Sequence, residues 1–336
     1  MRLLVLGGTR FLGRAIVDDA ISRGYDVTTF SRGLSGHPRP GAEVLYGDRT
    51  SAEDLRQLAG RDWDAVIDTS SLAPVHVAAS AQLLAGHVGH YSYVSTISVY
   101  QDRPGEPITE ESPVVDCPPD AAGALDYPEL KAGSERAVQA AMPGRNLIAR
   151  PGLIVGPHED VGRLPWWLTR IARGGPVLAP PLDSELRMTD ARDLAAWLND
   201  NTRRRIPGVM NVPGPEGTTF GDLLTACAQV TAPQRGDSLE LRPMADPVLL
   251  GAGVEPWMEL PMWAPDTPEF AGIWQVSGDR ALRTGMRYRP LIDTVRDTWH
   301  WLTQEAASLD RPVSAFARMP GIGLEPGREQ EILATI

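Results

Sequence analysis

The sequence predicts an α/β fold: a doubly wound parallel sheet with a smaller lobe on its C-terminal side. Three observations predict it. Short, almost wholly apolar runs alternate with longer amphipathic stretches through the first half of the chain. A glycine turn follows the first of those runs directly. After about residue 150 the rhythm becomes irregular, broken by Pro176, Pro180, Pro181, Pro207, Pro213 and Pro215.

Strands are expected at 2–6, 26–30, 43–46, 65–68, 90–94 and 146–149, where Leu, Val, Ile, Thr and Tyr crowd into runs too short for helices. Helices are expected at 13–23, 52–59, 75–85 and 127–141, where apolar residues recur at helical spacing. Strand followed by helix, repeated, gives a parallel sheet covered on both faces. Eight of the nine tryptophans, from Trp166 to Trp301, lie in the irregular half. Trp166, Trp167, Trp257 and Trp263 are candidates for an apolar pocket or for plain core.

Composition excludes several classes. At 336 residues, 42% hydrophobic and 22% charged, the chain is not collagen-like, coiled-coil or wholly disordered. A net charge of −11 argues against nucleic-acid binding, which needs concentrated basic charge. Cys117 and Cys227 stand alone, and the histidines show no ligand spacing beyond His87-x-x-His90, read as a loop, so no metal is expected. The opening MRLLVLGG runs into glycines rather than a secretory signal. No run approaches the roughly 18–20 apolar residues of a membrane span, so the expectation is a cytoplasmic protein without membrane contact. Of the 32 Lys and Arg residues only Lys131 is a lysine, which marks a place where lysine specifically is required.

Three segments carry chemistry. In the first, a strand ends in Gly7-Gly8-Thr9-Arg10-Phe11-Leu12-Gly13, where the backbone must turn tightly and a pyrophosphate can sit at a helix N-terminus. The second strand then ends Ser31-Arg32-Gly33, with no carboxylate to take a ribose 2′-hydroxyl; this favours NADP(H) over NAD(H), with Arg10 a second guanidinium for the 2′-phosphate. Asp48, after the third strand, is placed near the adenine amino group. In the second segment, Tyr127-Pro128-Glu129-Leu130-Lys131, a spacing of four puts phenol and ammonium on one helix face, with Asp126 as cap. An ammonium there stabilises phenolate and makes the tyrosine a usable acid or base. The third is the hydroxyl-rich strand end Tyr93-Val94-Ser95-Thr96-Ile97-Ser98-Val99-Tyr100, able to steady a carbonyl oxygen or simply to cap a turn.

Together these segments resemble the short-chain dehydrogenase/reductase superfamily, in its extended or atypical branch, the NAD-dependent epimerase/dehydratases. The resemblance implies a Rossmann-like dinucleotide-binding domain and a substrate-binding lobe. It implies Thr96 polarising the reacting oxygen, Tyr127 transferring the proton, and Lys131 tuning Tyr127 while holding the nicotinamide ribose. It extends to Arg150-Pro151-Gly152, which places Pro151 beside the nicotinamide, to Asp190-Ala191-Arg192-Asp193, and to the closing segment from Gly285 to Trp301. The dinucleotide domain is expected at 1–155 with a returning segment at about 187–212, the lobe at 156–186 and 213–302, and an extension with one short helix at 303–336. Substrate contacts are expected from His158, Trp166 and Arg187.

Three departures from the family pattern sharpen the expectation. Arg10 replaces the middle glycine of the usual turn. Leu186-Arg187-Met188 replaces the usual pyrophosphate-binding pattern of nucleotide-sugar enzymes, which argues against a UDP- or dTDP-sugar substrate unless Arg187 substitutes. Ser31-Arg32 does not suit a tightly retained NAD. The expected activity is therefore NADP(H)-dependent hydride transfer to a small-molecule carbonyl or from a secondary alcohol, with Tyr127 as general acid and base. The alternatives are a sugar or sugar-nucleotide epimerase or dehydratase with retained NAD(P), and a non-catalytic NADP-sensing or RNA-binding protein of the same fold. A homodimer is the assembly that the resemblance implies.

Overall fold

The structure, a computed structural model, describes residues 1–101, 107–232, 239–306 and 321–335. The expected extension at 303–336 therefore lies partly outside the described residues. From the N-terminus the chain forms β1 (Arg2–Leu6), α1 (Phe11–Ser22), β2 (Asp26–Ser31), β3 (Ala42–Tyr46), α2 (Ala52–Ala59), β4 (Ala65–Asp68), α3 (Pro74–Leu84), β5 (Tyr91–Val94), α4 (Tyr127–Ala141) and β6 (Asn146–Pro151). There follow β7 (Leu153–Val155), α5 (Arg163–Ala172), β8 (Gly175–Ala179), β9 (Met188–Asp190), α6 (Ala191–Arg204), β10 (Gly208–Val212) and α7 (Phe220–Thr231). The remainder forms β11 (Leu239–Pro243), α8 (Asp246–Gly251), β12 (Pro256–Trp257), β13 (Leu260–Pro261), α9 (Asp279–Arg283), α10 (Leu291–Trp301) and α11 (Pro326–Thr335).

These elements divide into two compact units. The first holds Met1–Ile154, Ala191–Gly214 and Gln275–Arg287; the second holds Val155–Asp190, Pro215–Trp274 and the described residues from Tyr288 onward. The sequence reading put residues 275–287 in the lobe and residues 187–190 in the dinucleotide domain, and the structure reverses both. Residues 275–287 join the first unit through side-chain bonds that sequence spacing does not reveal: Trp197 Nε1 donates to Thr284 Oγ1 at 3.1 Å and Arg204 Nη1 to the Thr284 carbonyl at 3.1 Å.

The first unit is built on a seven-stranded parallel sheet in the order β10-β6-β5-β4-β1-β2-β3. Leu3 pairs with Val27 on one side and with Ala65 on the other. Leu3, Leu4, Val5 and Leu6 are fully buried, as a central strand covered on both faces requires. Helices α2, α3 and α4 close one face over Leu4, Leu6, Val66, Tyr91 and Ile148, while α1 and α6 pack together against the other. Each such Leu or Val contributes about 1.5–3 kcal/mol. Strand order reverses between β1 and β4, and that switch opens a crevice beyond their carboxyl ends. A buried ion pair ties α4 to the sheet: Arg150 of β6 donates to Glu135 at 2.8 and 2.5 Å and to the Tyr100 hydroxyl at 2.8 Å.

The second unit explains the tryptophan-rich half. Trp167 and Trp263 are fully buried core, and Trp167 meets Phe220 edge-on at 5.5 Å. Strands β8 and β11 pair in parallel. Helix α11 is anchored in this unit by Glu329, which accepts from Arg170 Nε at 2.6 Å and from the Leu178 N–H at 3.1 Å.

Candidate active site

The glycine turn leaves β1 at the switch point. Gly7 and Gly8 take φ of +115° and +95°, conformations open to glycine. A Cβ on Gly7 would stand 2.5 Å from Thr69 Oγ1, and one on Gly13 would stand 2.8 Å from the Gly8 nitrogen. The turn therefore presents bare backbone. Arg10 lies in extended backbone at φ −128°, ψ 150°, which any residue adopts, so losing the middle glycine costs no strain there; positive φ falls on Phe11 at +32° instead. Helix α1 opens with no capping side chain and no acidic residue in its first turn. Its N–H groups and dipole suit a pyrophosphate.

At the tip of β2 the Ser31 hydroxyl is buried and has no hydrogen-bond partner among the described residues. Arg32 is exposed on the loop that follows. That loop is folded down at two points: a Cβ on Gly36 would collide with the Thr9 carbonyl, and one on Gly33 would stand 2.7 Å from the Tyr46 ring. Asp48 Oδ1 accepts the Thr50 N–H and hydroxyl, both at 2.8 Å. Those bonds, helped by the charges of Arg32 and His76, hold its carboxyl below the usual range. A bare glycine cradle, an unpaired serine hydroxyl and a flanking arginine fit a dinucleotide.

Tyr127 opens α4 and is 50% exposed. Pro128 occupies the first turn, and the Glu129 carboxylate accepts the Asp126 N–H at 3.0 Å, the arrangement that starts a helix cleanly. One turn on, Lys131 is only 2% exposed. Its Nζ donates to the Ser70 and Val94 carbonyls, both at 2.7 Å, and stands 4.9 Å from the centre of the Tyr93 ring. These carbonyls lie just past β4 and at the end of β5, so the ammonium is fixed at the carboxyl edge of the sheet. Thr96 Oγ1 accepts the Ser98 N–H and donates to Ser98 Oγ, both at 3.1 Å. It thereby caps the short turn Ile97–Val99. Pro151 ends β6, and a Cβ on the adjoining Gly152 would stand 2.9 Å from the Pro213 carbonyl.

Sequence reasoning missed a buried polar cluster beneath these groups. Arg49 and Asp68, 7% and 0% exposed, pair through two bonds of 2.8 Å. Arg49 also donates to Ser70 Oγ at 2.6 Å and to Ser80 Oγ at 2.5 Å, and Tyr91 donates to Asp68 at 2.7 Å. Burial pushes Asp68 up, but Arg49 and the Ser70 N–H outweigh it and leave the carboxyl below its ordinary value. Burial pushes the Tyr91 and Tyr93 phenols well above theirs. The signal was present, since an aspartate closing an otherwise apolar strand needs a partner.

The remaining expected residues belong to the second unit. His158, at φ +66°, rests its ring 5.0 Å from that of Trp301. Trp166 packs edge-on to Trp167 at 4.7 Å, and a Cβ on Gly323 would collide with its indole, so that edge is packing surface. Arg187 is buried, donates to the Trp274 carbonyl at 2.9 Å and stands 3.7 Å from Glu216. Among the described residues no cluster of His, Cys, Asp or Glu is arranged to hold a metal, and no helix is long and apolar enough to cross a membrane.

The profile of the NAD dependent epimerase/dehydratase family matches residues 3–198. Among curated proteins the chain is 26% identical over 247 residues to the chloroplast stem-loop binding protein of 41 kDa b of Arabidopsis thaliana; the match covers 68% of this chain and 62% of that relative's length. Among solved structures it is similar to the Bordetella bronchiseptica enzyme WbmH in complex with NAD+, with a TM-score of 0.67 and 17% identity over 90% of this chain and 98% of that one. It is also similar to the Thermus thermophilus UDP-glucose 4-epimerase complex with NAD, with a TM-score of 0.65 and 19% identity over 90% and 99%. At these identities the two structures establish the shared fold.

Proposed function

This chain belongs to the NAD dependent epimerase/dehydratase family, and on that premise we propose that it moves hydride between NADP(H) and a small-molecule carbonyl or secondary alcohol. The observation that carries the proposal is the placement of Lys131. A buried ammonium held by one strand-end carbonyl and one carbonyl just past a strand, one helical turn from a half-exposed phenol, is costly to maintain unless it serves chemistry.

The dinucleotide would lie along the backbone of Gly7, Gly8 and Gly13, with Ser31, Arg32 and Arg10 at its adenosine ribose and Lys131 and Pro151 toward its other end. When bound, it supplies the hydride donor or acceptor. The protein supplies the proton and the geometry. In reduction Tyr127 gives its phenolic proton to the oxygen of the substrate as negative charge develops there; in oxidation it takes that proton back. Lys131 keeps the phenolate affordable. The Thr96 hydrogen, bonded to Ser98 Oγ at rest, turns to the same oxygen, while its lone pair keeps the Ser98 N–H.

Preference for NADP(H) follows from the chemistry at the β2 tip, where a hydroxyl and guanidinium stand in place of a carboxylate. Titration with NADPH and NADH, followed by cofactor fluorescence, tests it; tighter NADH binding overturns it. Tyr127→Phe should abolish turnover of whatever carbonyl substrate is found and leave NADPH binding intact.

A second reading is favoured by the family and by the NAD-bound relatives: epimerase or dehydratase chemistry, with hydride stored on a retained cofactor. Cofactor co-purifying at near stoichiometry would select it. The stem-loop binding in the name of the Arabidopsis relative bears on a reading of another class, a non-catalytic RNA-binding protein of the same fold, and the net charge of −11 weighs against it.

A further inference from the structure

We propose that the buried Arg49–Asp68 pair is a positioning device for the Lys131 ammonium, acting through Ser70. The inference rests on the acid–base reading of Tyr127 and Lys131 and assigns that site two residues from outside it.

Ser70 is gripped on two sides. Arg49 Nη1 donates to its hydroxyl at 2.6 Å, and its own N–H donates to Asp68 Oδ1 at 2.9 Å. Its third polar group, the carbonyl, accepts from Lys131 at 2.7 Å and from the Tyr93 hydroxyl at 3.4 Å. The pair therefore holds Ser70 by its N–H and its side chain, and the carbonyl that Ser70 gives to the next peptide helps set where the ammonium sits. The residues just past β4 otherwise belong to a loop, whereas the second carbonyl holding Lys131, that of Val94, is part of the sheet. The pair makes the loop carbonyl as well defined as the strand carbonyl.

Stability does not account for the pair. An apolar pair of similar shape would usually serve a fold equally well or better, because two desolvated charges recover little more than they lose. The two terminal nitrogens of Arg49 are taken up by both Asp68 oxygens and the hydroxyls of Ser70 and Ser80, while its buried Nε has no hydrogen-bond partner among the described residues. Among the groups around Lys131 are the Tyr93 ring and the two carbonyls, with Tyr127 one turn earlier on α4; Glu135, one turn later, pairs with Arg150. The Ser70 and Val94 carbonyls are thus two of the groups that hold the ammonium in place.

The test uses the full chain with two variants, Ser70→Ala and the shape-conserving double replacement Arg49→Met with Asp68→Leu. The first readout is the ultraviolet titration of tyrosinate, whose Tyr127 component is the difference between wild type and Tyr127→Phe. The second is NADPH affinity by fluorescence. We expect the Tyr127 component to move up by about one pH unit in the double variant and by less in Ser70→Ala. We expect NADPH to bind roughly fivefold more weakly in the double variant, the effect of one ordinary hydrogen bond. An unmoved Tyr127 titration with unchanged NADPH affinity in folded variants overturns the inference. If the double variant does not fold, Ser70→Ala decides by the same readouts. If wild type shows no Tyr127 component at all, the acid–base reading fails, and NADPH affinity alone judges whether the pair positions Lys131.

Discussion

Lys131 is the single lysine among 31 arginines, and the structure gives a reason that charge alone does not. Two carbonyls converge on its Nζ at 2.7 Å in a space that leaves it 2% exposed. A compact ammonium fits such a point; a planar guanidinium does not. Lys131→Arg should therefore weaken NADPH binding at least about tenfold in a fluorescence titration, despite keeping the charge. A second residue-scale expectation concerns His90, which begins the approach to β5. It is 1% exposed, both ring nitrogens lack a partner among the described residues, and burial with Arg205 and Arg145 nearby pushes its pKa down to about 4. Below its ordinary value of 6.5 the unfolded chain takes up a proton that the folded chain refuses. Stability is therefore lost as pH falls from about 6.5 to about 4, by about 3 kcal/mol in total. Denaturant unfolding of His90→Leu across that range should show a shallower acid slope than wild type.

The elements of the first half were legible because each carried its own local signal. The four-residue strand at Ala65–Asp68 and the fifteen-residue helix at Tyr127–Ala141 begin and end where apolar run, proline and cap indicate. What stayed hidden depended on partners far along the chain. Arg49 and Asp68 sit 19 residues apart, and Thr284 meets Trp197 from 87 residues away. Local spacing cannot report such pairs. The same holds for α11, whose Glu329 finds Arg170 at a separation of 159 residues. Both partners are buried, so removing one strands the other's charge. Glu329→Leu should cost about 3–5 kcal/mol in urea unfolding, while Arg170→Met combined with Glu329→Leu should recover most of that loss.

At the scale of the whole molecule, the placing of Tyr127 and Lys131 one turn apart on a helix and the bare glycine turn after β1 could be read from spacing, because helix and strand periodicity dictate which side chains share a face. Their supports could not: Ser70 has no motif, and its importance arises from three contacts made in three directions. For the Thr96 segment the sequence leaves a cap and a site hydroxyl open, and the fold shows the Thr96 hydroxyl capping the turn. Net charge makes its own prediction. With −11 overall, the chain should show no salt-dependent retention on RNA stem-loops at physiological ionic strength, measured by filter binding against a basic control protein.

The division of the units along the chain also bears on synthesis. The sheet unit takes in Ala191–Gly214 and Gln275–Arg287, and the second unit waits for Glu329 before Arg170 is neutralised. A ribosome delivering this polypeptide from its N-terminus therefore finishes neither unit until most of the chain has emerged. Products of premature termination after α10 lack α11 and leave Arg170 without its Glu329 carboxylate, an unfinished unit that makes them natural clients for chaperones and proteases.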